Sequence, residues 1–109
     1  MTLTVSEIME KIPAAFAAGG SKDLSAVVHF RFTGAEPGEW NATIQDGACR
    51  VAQGLPRSRP TISVVADSSD FVRIASGELD ATKAYMEGKI KVAGDLLLVP
   101  KLIKLFKLP

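Results

Sequence analysis

The sequence predicts an α+β fold, a five-stranded, mainly antiparallel sheet covered by helices, on three observations. Apolar residues alternate with period two over 24–33 and again over 40–45, the signature of strands with one buried side. An Asp46-Gly47 pair between two such runs is a strong hairpin signal. Stretches at helical spacing, each opened by a capping residue and closed by glycine, lie before and after the strands.

Thr4-Val-Ser-Glu7 has the form of a capping box, and Val5, Ile8, Met9, Ile12 and Phe16 then share one narrow arc, so the first element is an amphipathic helix. Pro13 is expected to kink it or split off its last turn, and Gly19-Gly20 to end it. In the first strand Leu24, Ala26, Val28, Phe30 and Phe32 share one face, and Ser25, Val27, His29, Arg31 and Thr33 the other. Glu36-Pro37-Gly38 makes the turn into a second strand, where Trp40, Ala42 and Ile44 face inward. Ala48 to Gln53 pairs back as the third strand, 54–60 is a proline-bounded loop, and Thr61 to Ala66 forms the fourth strand. Asp67 and Asp70 open a helix carrying Phe71, Ile74 and Ala75 that ends at Gly77, and Asp80 opens a shorter one through Met86. Lys89 to Ala93 is the fifth strand, with lysines on the face opposite Ile90 and Val92 that blunt an exposed edge.

At 109 residues the chain is read as a single domain, 1–109, and a chain of this size buries roughly two-thirds of its unfolded surface, enough for one core. Thirteen Lys plus Arg against twelve Asp plus Glu leave a net charge of +1, which argues against a nucleic-acid partner. The single Cys49 rules out an internal disulfide and a cysteine-based zinc site. One histidine and scattered carboxylates lack the spacing of a metal site, and no motif calls for a cofactor. No basic region precedes an apolar run at the N-terminus, no apolar run nears the roughly 20 residues a bilayer span needs, and Lys107-Leu-Pro109 is not a peroxisomal address. The expected location is the cytoplasm.

No catalytic residue is expected. His29 needs a nucleophile or an orienting carboxylate to act, and nothing local supplies one. Arg57 and Arg59 sit between Pro56 and Pro60; their guanidinium forks match phosphate oxygens, although two loop arginines are more often simply solvated. The last helix, read from Leu96 to Phe106, is more informative. Leu96, Leu98, Val99, Leu102, Ile103, Leu105 and Phe106 cover about half its circumference, against Lys101, Lys104 and Lys107 on the other side. Three readings are open: a lid over a hydrophobic cavity, a helix that also makes transient membrane contact through those lysines, or a plain core helix whose lysines snorkel to water. Pro100 must kink this helix or mark a delayed start.

Asp80, Tyr85-Met86 and Gly88-Lys-Ile-Lys-Val-Ala-Gly-Asp95, followed by a helix rich in Leu and Lys, resemble the sterol carrier protein type 2 domain family. The match is specific at this end and follows the order of elements along the rest of the chain. Leu96-Leu-Leu-Val-Pro100 stands where family members often carry Met and Gly, a departure that bears on ligand size. The resemblance implies a hydrophobic cavity between sheet and helices, and a non-enzymatic module that binds or transfers a fatty acid, acyl-CoA, phospholipid or other hydrophobe. It singles out Phe71, Ile74, Met86, Ile90, Leu98, Leu102 and Phe106 as cavity-lining residues, with Phe30 and Ile44 from the sheet face. The alternative is an interaction protein whose apolar last helix docks on a partner enzyme or a second copy.

Overall fold

A computed structural model describes residues 4–19, 25–98 and 100 of the chain. Helix α1 (Val5–Gly19) leads into strands β1 (Ala26–Thr33), β2 (Gly38–Gln45), β3 (Ala48–Gln53) and β4 (Ile62–Asp67), then helices α2 (Ser68–Ala75) and α3 (Ala81–Met86) and strand β5 (Ile90–Gly94). The sheet order is β3-β2-β1-β4-β5. Every neighbouring pair is antiparallel except β1 with β4, which run parallel. The expected α+β, mainly antiparallel sheet is therefore present. Its parallel pair follows from the long connection through β2 and β3, because a parallel neighbour cannot be reached by a tight hairpin.

Local chemistry accounts for most element ends. The Thr4 N–H donates to Glu7 Oε1 at 3.3 Å and the Glu7 N–H to Thr4 Oγ1 at 3.1 Å, the reciprocal bonds of a capping box. Asp67 caps α2 by accepting from the Ser69 N–H, and Asp80 caps α3 by accepting from the Thr82 and Lys83 N–H groups. Both helices end in the same way. At α2 the Gly77 N–H reaches the Ile74 carbonyl and the Glu78 N–H the Arg73 carbonyl; at α3 Gly88 and Lys89 repeat this on Tyr85 and Ala84. Pro13 does not break α1, which runs through it to Gly19, although the missing N–H leaves the Met9 carbonyl without its usual helical donor.

Two contacts far apart in sequence orient the helices. The Glu36 carboxylate, in the β1–β2 turn, accepts from the Val5 N–H at 2.8 Å and the Ser6 N–H at 3.2 Å, so it supplies negative charge to the start of α1. The Glu36 N–H in turn donates to Ser68 Oγ at 3.0 Å, the buried hydroxyl in the first turn of α2. One turn thus ties together the beginnings of two helices.

The sheet has two unlike faces. On the helix side lie Ala26, Val28, Phe30 and Phe32 from β1, Trp40, Ala42 and Ile44 from β2, Cys49 from β3, and Ile62, Val64 and Ala66 from β4, all buried. Cross-strand partners in the register, such as Phe30 with Trp40 and with Val64, share this face. α1 packs over β3 and touches α2, while α2 lies against β4 and α3 against β5. The opposite face carries His29, Arg31, Asn41, Thr43, Arg50 and Lys91, half-buried or exposed. Leu24, expected at the start of β1, lies outside the described residues, as does the side chain of Phe16.

Candidate functional site

The apolar residues on the helix side fall into two clusters. The larger joins Val5, Ile8, Met9 and Ile12 of α1 to the inward residues of β1, β2 and β4, with Cys49, Phe71 and Ala75. At its centre three rings pack together. Phe30 and Phe32 are stacked with centroids 6.0 Å apart, and Phe71 meets Phe32 at 4.7 Å and Phe30 edge-on at 6.2 Å. The smaller cluster is Ile74, Ala81 and Ala84, with half-buried Leu79 beside it. Ile90 packs against both clusters, so the apolar wall is continuous from β1 to α3.

Beside the smaller cluster lies an open recess of about 360 Å³, lined by Ile74, Ala75, Ser76, Gly77, Leu79, Asp80 and Ala81. It occupies the space between the end of α2 and the start of α3. A second hollow, about 310 Å³, lies on the opposite face between β2 and β3 and is lined by Thr43, Gln45, Asp46, Ala48 and Arg50. Both hollows have linings of mixed polarity, and only the first adjoins the apolar wall.

The residues singled out in the sequence divide accordingly. Phe30, Ile44 and Phe71 are buried in the larger cluster, and Ile74 lines the recess. Ile90 bridges the clusters, and half-buried Leu98 packs on the larger one. Met86, expected in the cavity wall, is instead 78% exposed. The reason is angular: Ala81 and Ala84 point α3 inward, and Met86, two residues beyond Ala84, lies about 200° round the helix from it. Leu102 and Phe106, with Lys101, Lys104 and Lys107, lie outside the described residues. Arg57 and Arg59 are exposed in the β3–β4 loop.

The motif that carried the resemblance does backbone work here. Gly88 (φ +79°) supplies the left-handed residue that ends α3. Gly94 (φ +108°) brings the end of β5 against β4, where a Cβ would meet the Thr61 carbonyl oxygen at 2.4 Å. The Asp95 N–H then donates to that same oxygen at 3.0 Å, and Asp95 Oδ1 accepts from the Leu97 N–H at 3.1 Å. The result is a 3₁₀ turn at Leu96–Leu98 with Pro100 helical after it, so the last helix does not begin at Leu96; of the two expectations for Pro100 this is the delayed start. Leu96 and Leu97 are left 49% and 86% exposed.

Among the described residues, titratable groups near the wall are few. Burial raises the Cys49 thiol to about 11, so it stays protonated and unreactive at neutral pH. His29 Nε2 lies 3.2 Å from Glu39 Oε1, a carboxylate that the sequence reading did not place beside it. The two are diagonal neighbours across the antiparallel β1–β2 pair, and the length of the turn between the strands was the only signal for this. They sit on the open face, away from the apolar wall. Among the described residues no group of three or more His, Cys, Asp or Glu could hold a metal ion, and no helix is long and apolar enough to cross a membrane.

Comparison with known proteins agrees with this architecture. Hydroxysteroid dehydrogenase-like protein 2 of Xenopus tropicalis is 32% identical over 84 residues, 77% of this chain, and the mouse protein of the same name is 35% identical over 80 residues, 73% of it. The chain spans only 20% and 16% of those relatives' lengths. The solution structure of palmitated SCP2L2 from Aedes aegypti superposes with a TM-score of 0.79 at 26% identity, over 95% of each chain. The apo form of sterol carrier protein 2 from Yarrowia lipolytica shares the fold, with a TM-score of 0.70 at 17% identity over 95% of this chain and 92% of that one. The profile of the SCP-2 sterol transfer family matches residues 7–107, and the chain belongs to that family of lipid-binding domains.

Proposed function

We propose that this domain binds the apolar chain of a fatty acid, acyl-CoA, phospholipid or similar hydrophobe between the sheet and its helices, without catalysing a reaction. The observation that carries this reading is the continuous apolar wall, from Phe30 and Phe71 through Ile90 to Ile74, that ends in an open recess instead of closing on itself. The wall is apolar and the recess beside it is mixed in polarity, and small-molecule sites likewise combine an apolar lining with a few polar groups. The Aedes aegypti neighbour is palmitated, which supports an acyl chain as occupant. Burying a chain of about sixteen carbons contributes on the order of 12 kcal/mol before the costs of association, so affinity does not depend on any single polar contact. Ile44, Leu98, Leu102 and Phe106 complete the proposed lining, with the last two in a C-terminal helix that closes over the ligand. Lys101, Lys104 and Lys107 on that helix give it transient contact with anionic membrane, and Arg57 and Arg59 are a proposed anion contact in the β3–β4 loop. The free Cys49 fits action in the cytoplasm.

Native mass spectrometry of the gently purified protein, followed by organic extraction, tests the reading. A stoichiometric lipid that is lost in folded Leu98→Glu and Leu102→Glu variants is the expected result. An empty protein that also fails to bind a fluorescent fatty acid would rule it out.

A second reading rests on the exposure of Leu96 and Leu97 just before Pro100 and on the greater length of the curated relatives. The segment then docks on a partner enzyme or a second copy. Leu97→Glu should in that case abolish a dimer or complex seen by light scattering and leave lipid binding intact.

A further inference from the structure

The face of the sheet turned away from the helices carries cations that the apolar wall does not use. We propose that this open face docks on the acidic surface of a protein partner, with Arg31, Arg50 and Lys91 as its contacts. The apolar wall lies on the other side of the same sheet, so docking in this way leaves the proposed hydrophobe site unobstructed.

The register sets the positions. Arg31 of β1 and Lys91 of β5 stand opposite Val65 of β4, one on either side, so the two cations share a row about 10 Å apart at the spacing of neighbouring strands. Arg50 of β3 stands opposite Thr43, which stands opposite Val27 on the strand of Arg31. That offset puts Arg50 roughly 16 Å from Arg31. All three side chains belong to exposed residues. Cations this far apart are screened from one another at physiological salt, where the Debye length is about 8 Å, so each can pair with a separate carboxylate.

The rest of the face allows close approach. Ala48, Ala52, Ser63 and Ala93 fill nearby outward positions with small side chains, so the cations stand above a flat surface. Two carboxylates of the face are engaged locally. Glu39, set opposite Arg31 by the register, meets His29 Nε2 at 3.2 Å, and Asp67 accepts from the Ser69 N–H at 2.8 Å to cap α2. A third, Asp46, borders the hollow that Arg50 also lines. A bilayer fits this face less well, because interfacial binding draws on inserted apolar side chains as well as charge. Among the described residues the exposed large apolar ones, Leu55, Tyr85, Met86, Leu96 and Leu97, all lie outside the strands. The platform covers roughly 500 Å², below the roughly 800 Å² that each partner gives a standard stable interface, so the association should be transient and driven by charge.

The test is an NMR titration of the isotope-labelled protein with poly-L-glutamate and, in parallel, with vesicles of phosphatidylcholine and phosphatidylserine. Amide shifts caused by poly-L-glutamate should centre on Arg31, Arg50 and Lys91 at about 0.01 M salt and vanish at about 1 M, as the screening length falls from about 30 Å to about 3 Å. Replacing these three residues together, Arg31→Gln, Arg50→Gln and Lys91→Gln, should weaken binding at least about tenfold and leave binding of a fluorescent fatty acid unchanged. A second variant, Lys11→Gln, Arg73→Gln and Lys83→Gln, removes the same charge from the helices and should bind poly-L-glutamate nearly as wild type does. All six residues are exposed, so both variants should keep the wild-type urea midpoint. Equal weakening in the two variants, or shifts centred elsewhere, would overturn the assignment of the face. Vesicle binding that the strand substitutions abolish, with no binding of poly-L-glutamate, would overturn the choice of a protein partner.

Discussion

The two apolar clusters on the helix side of the sheet obey the same hydrophobic effect yet end differently. The larger is closed: α1 lays Val5, Ile8, Met9 and Ile12 over the sheet, each at most 2% exposed, and three phenylalanine rings fill its centre. The smaller has three buried residues, two of them alanines, and borders an open recess. Small side chains on short α3 cannot fill the space that Ile74 and Leu79 leave beside it. The lesson is that packing under a long amphipathic helix closes one cluster, while the short α3 leaves open space beside the other.

The strongest way to break this contrast is to truncate one residue in each cluster. Phe30→Ala removes a fully buried ring from the closed cluster and should cost about 3–5 kcal/mol in urea unfolding, with little chance for neighbours to collapse into the void. Ile74→Ala should cost less, about 2 kcal/mol, because its side chain borders space that already reaches solvent, yet it should measurably weaken binding of a fluorescent fatty acid. Equal costs for the two substitutions would mean that both clusters are closed core.

The smallest expected effect sharpens the boundary of the closed cluster. Cys49 is buried there, with its thiol raised from 9.0 to about 11 by desolvation. Between those values the unfolded chain releases a proton that the folded chain keeps. The contribution of this group is therefore intact below pH 9 and declines as pH rises toward 11. The urea midpoint of wild type should fall more than that of Cys49→Ala over this range. Equal declines would show that Cys49 is more open to water than its 8% exposure implies.

Much of the fold was legible because its signals are local. The capping box at Thr4 and Glu7, the caps Asp67 and Asp80, the Asp46-Gly47 hairpin and the alternation in β1 and β2 each depend on residues a few positions apart, and each is found as expected. The candidate site was less legible. Phe30, Phe71 and Ile74 were placed on the helix side by periodicity, but that pattern cannot tell a residue packed in a closed core from one beside open space. Met86 was expected in the cavity wall, and the two small alanines that set the inward face of α3 leave it exposed. The pairing of His29 with Glu39 and of Glu36 with the start of α1 crossed 10 and 31 positions respectively, beyond any local rule.

By itself, then, the sequence determined where most helices and strands begin and end and which side of each is apolar, since dihedral preference, capping and side-chain period act over a few residues. Only the tertiary structure decided that β1 pairs in parallel with β4, that Glu36 joins the starts of α1 and α2, and that the apolar residues divide into a closed cluster and an open one. Burial and free space are properties of what distant segments bring to the same place, and no neighbourhood in the chain encodes them alone.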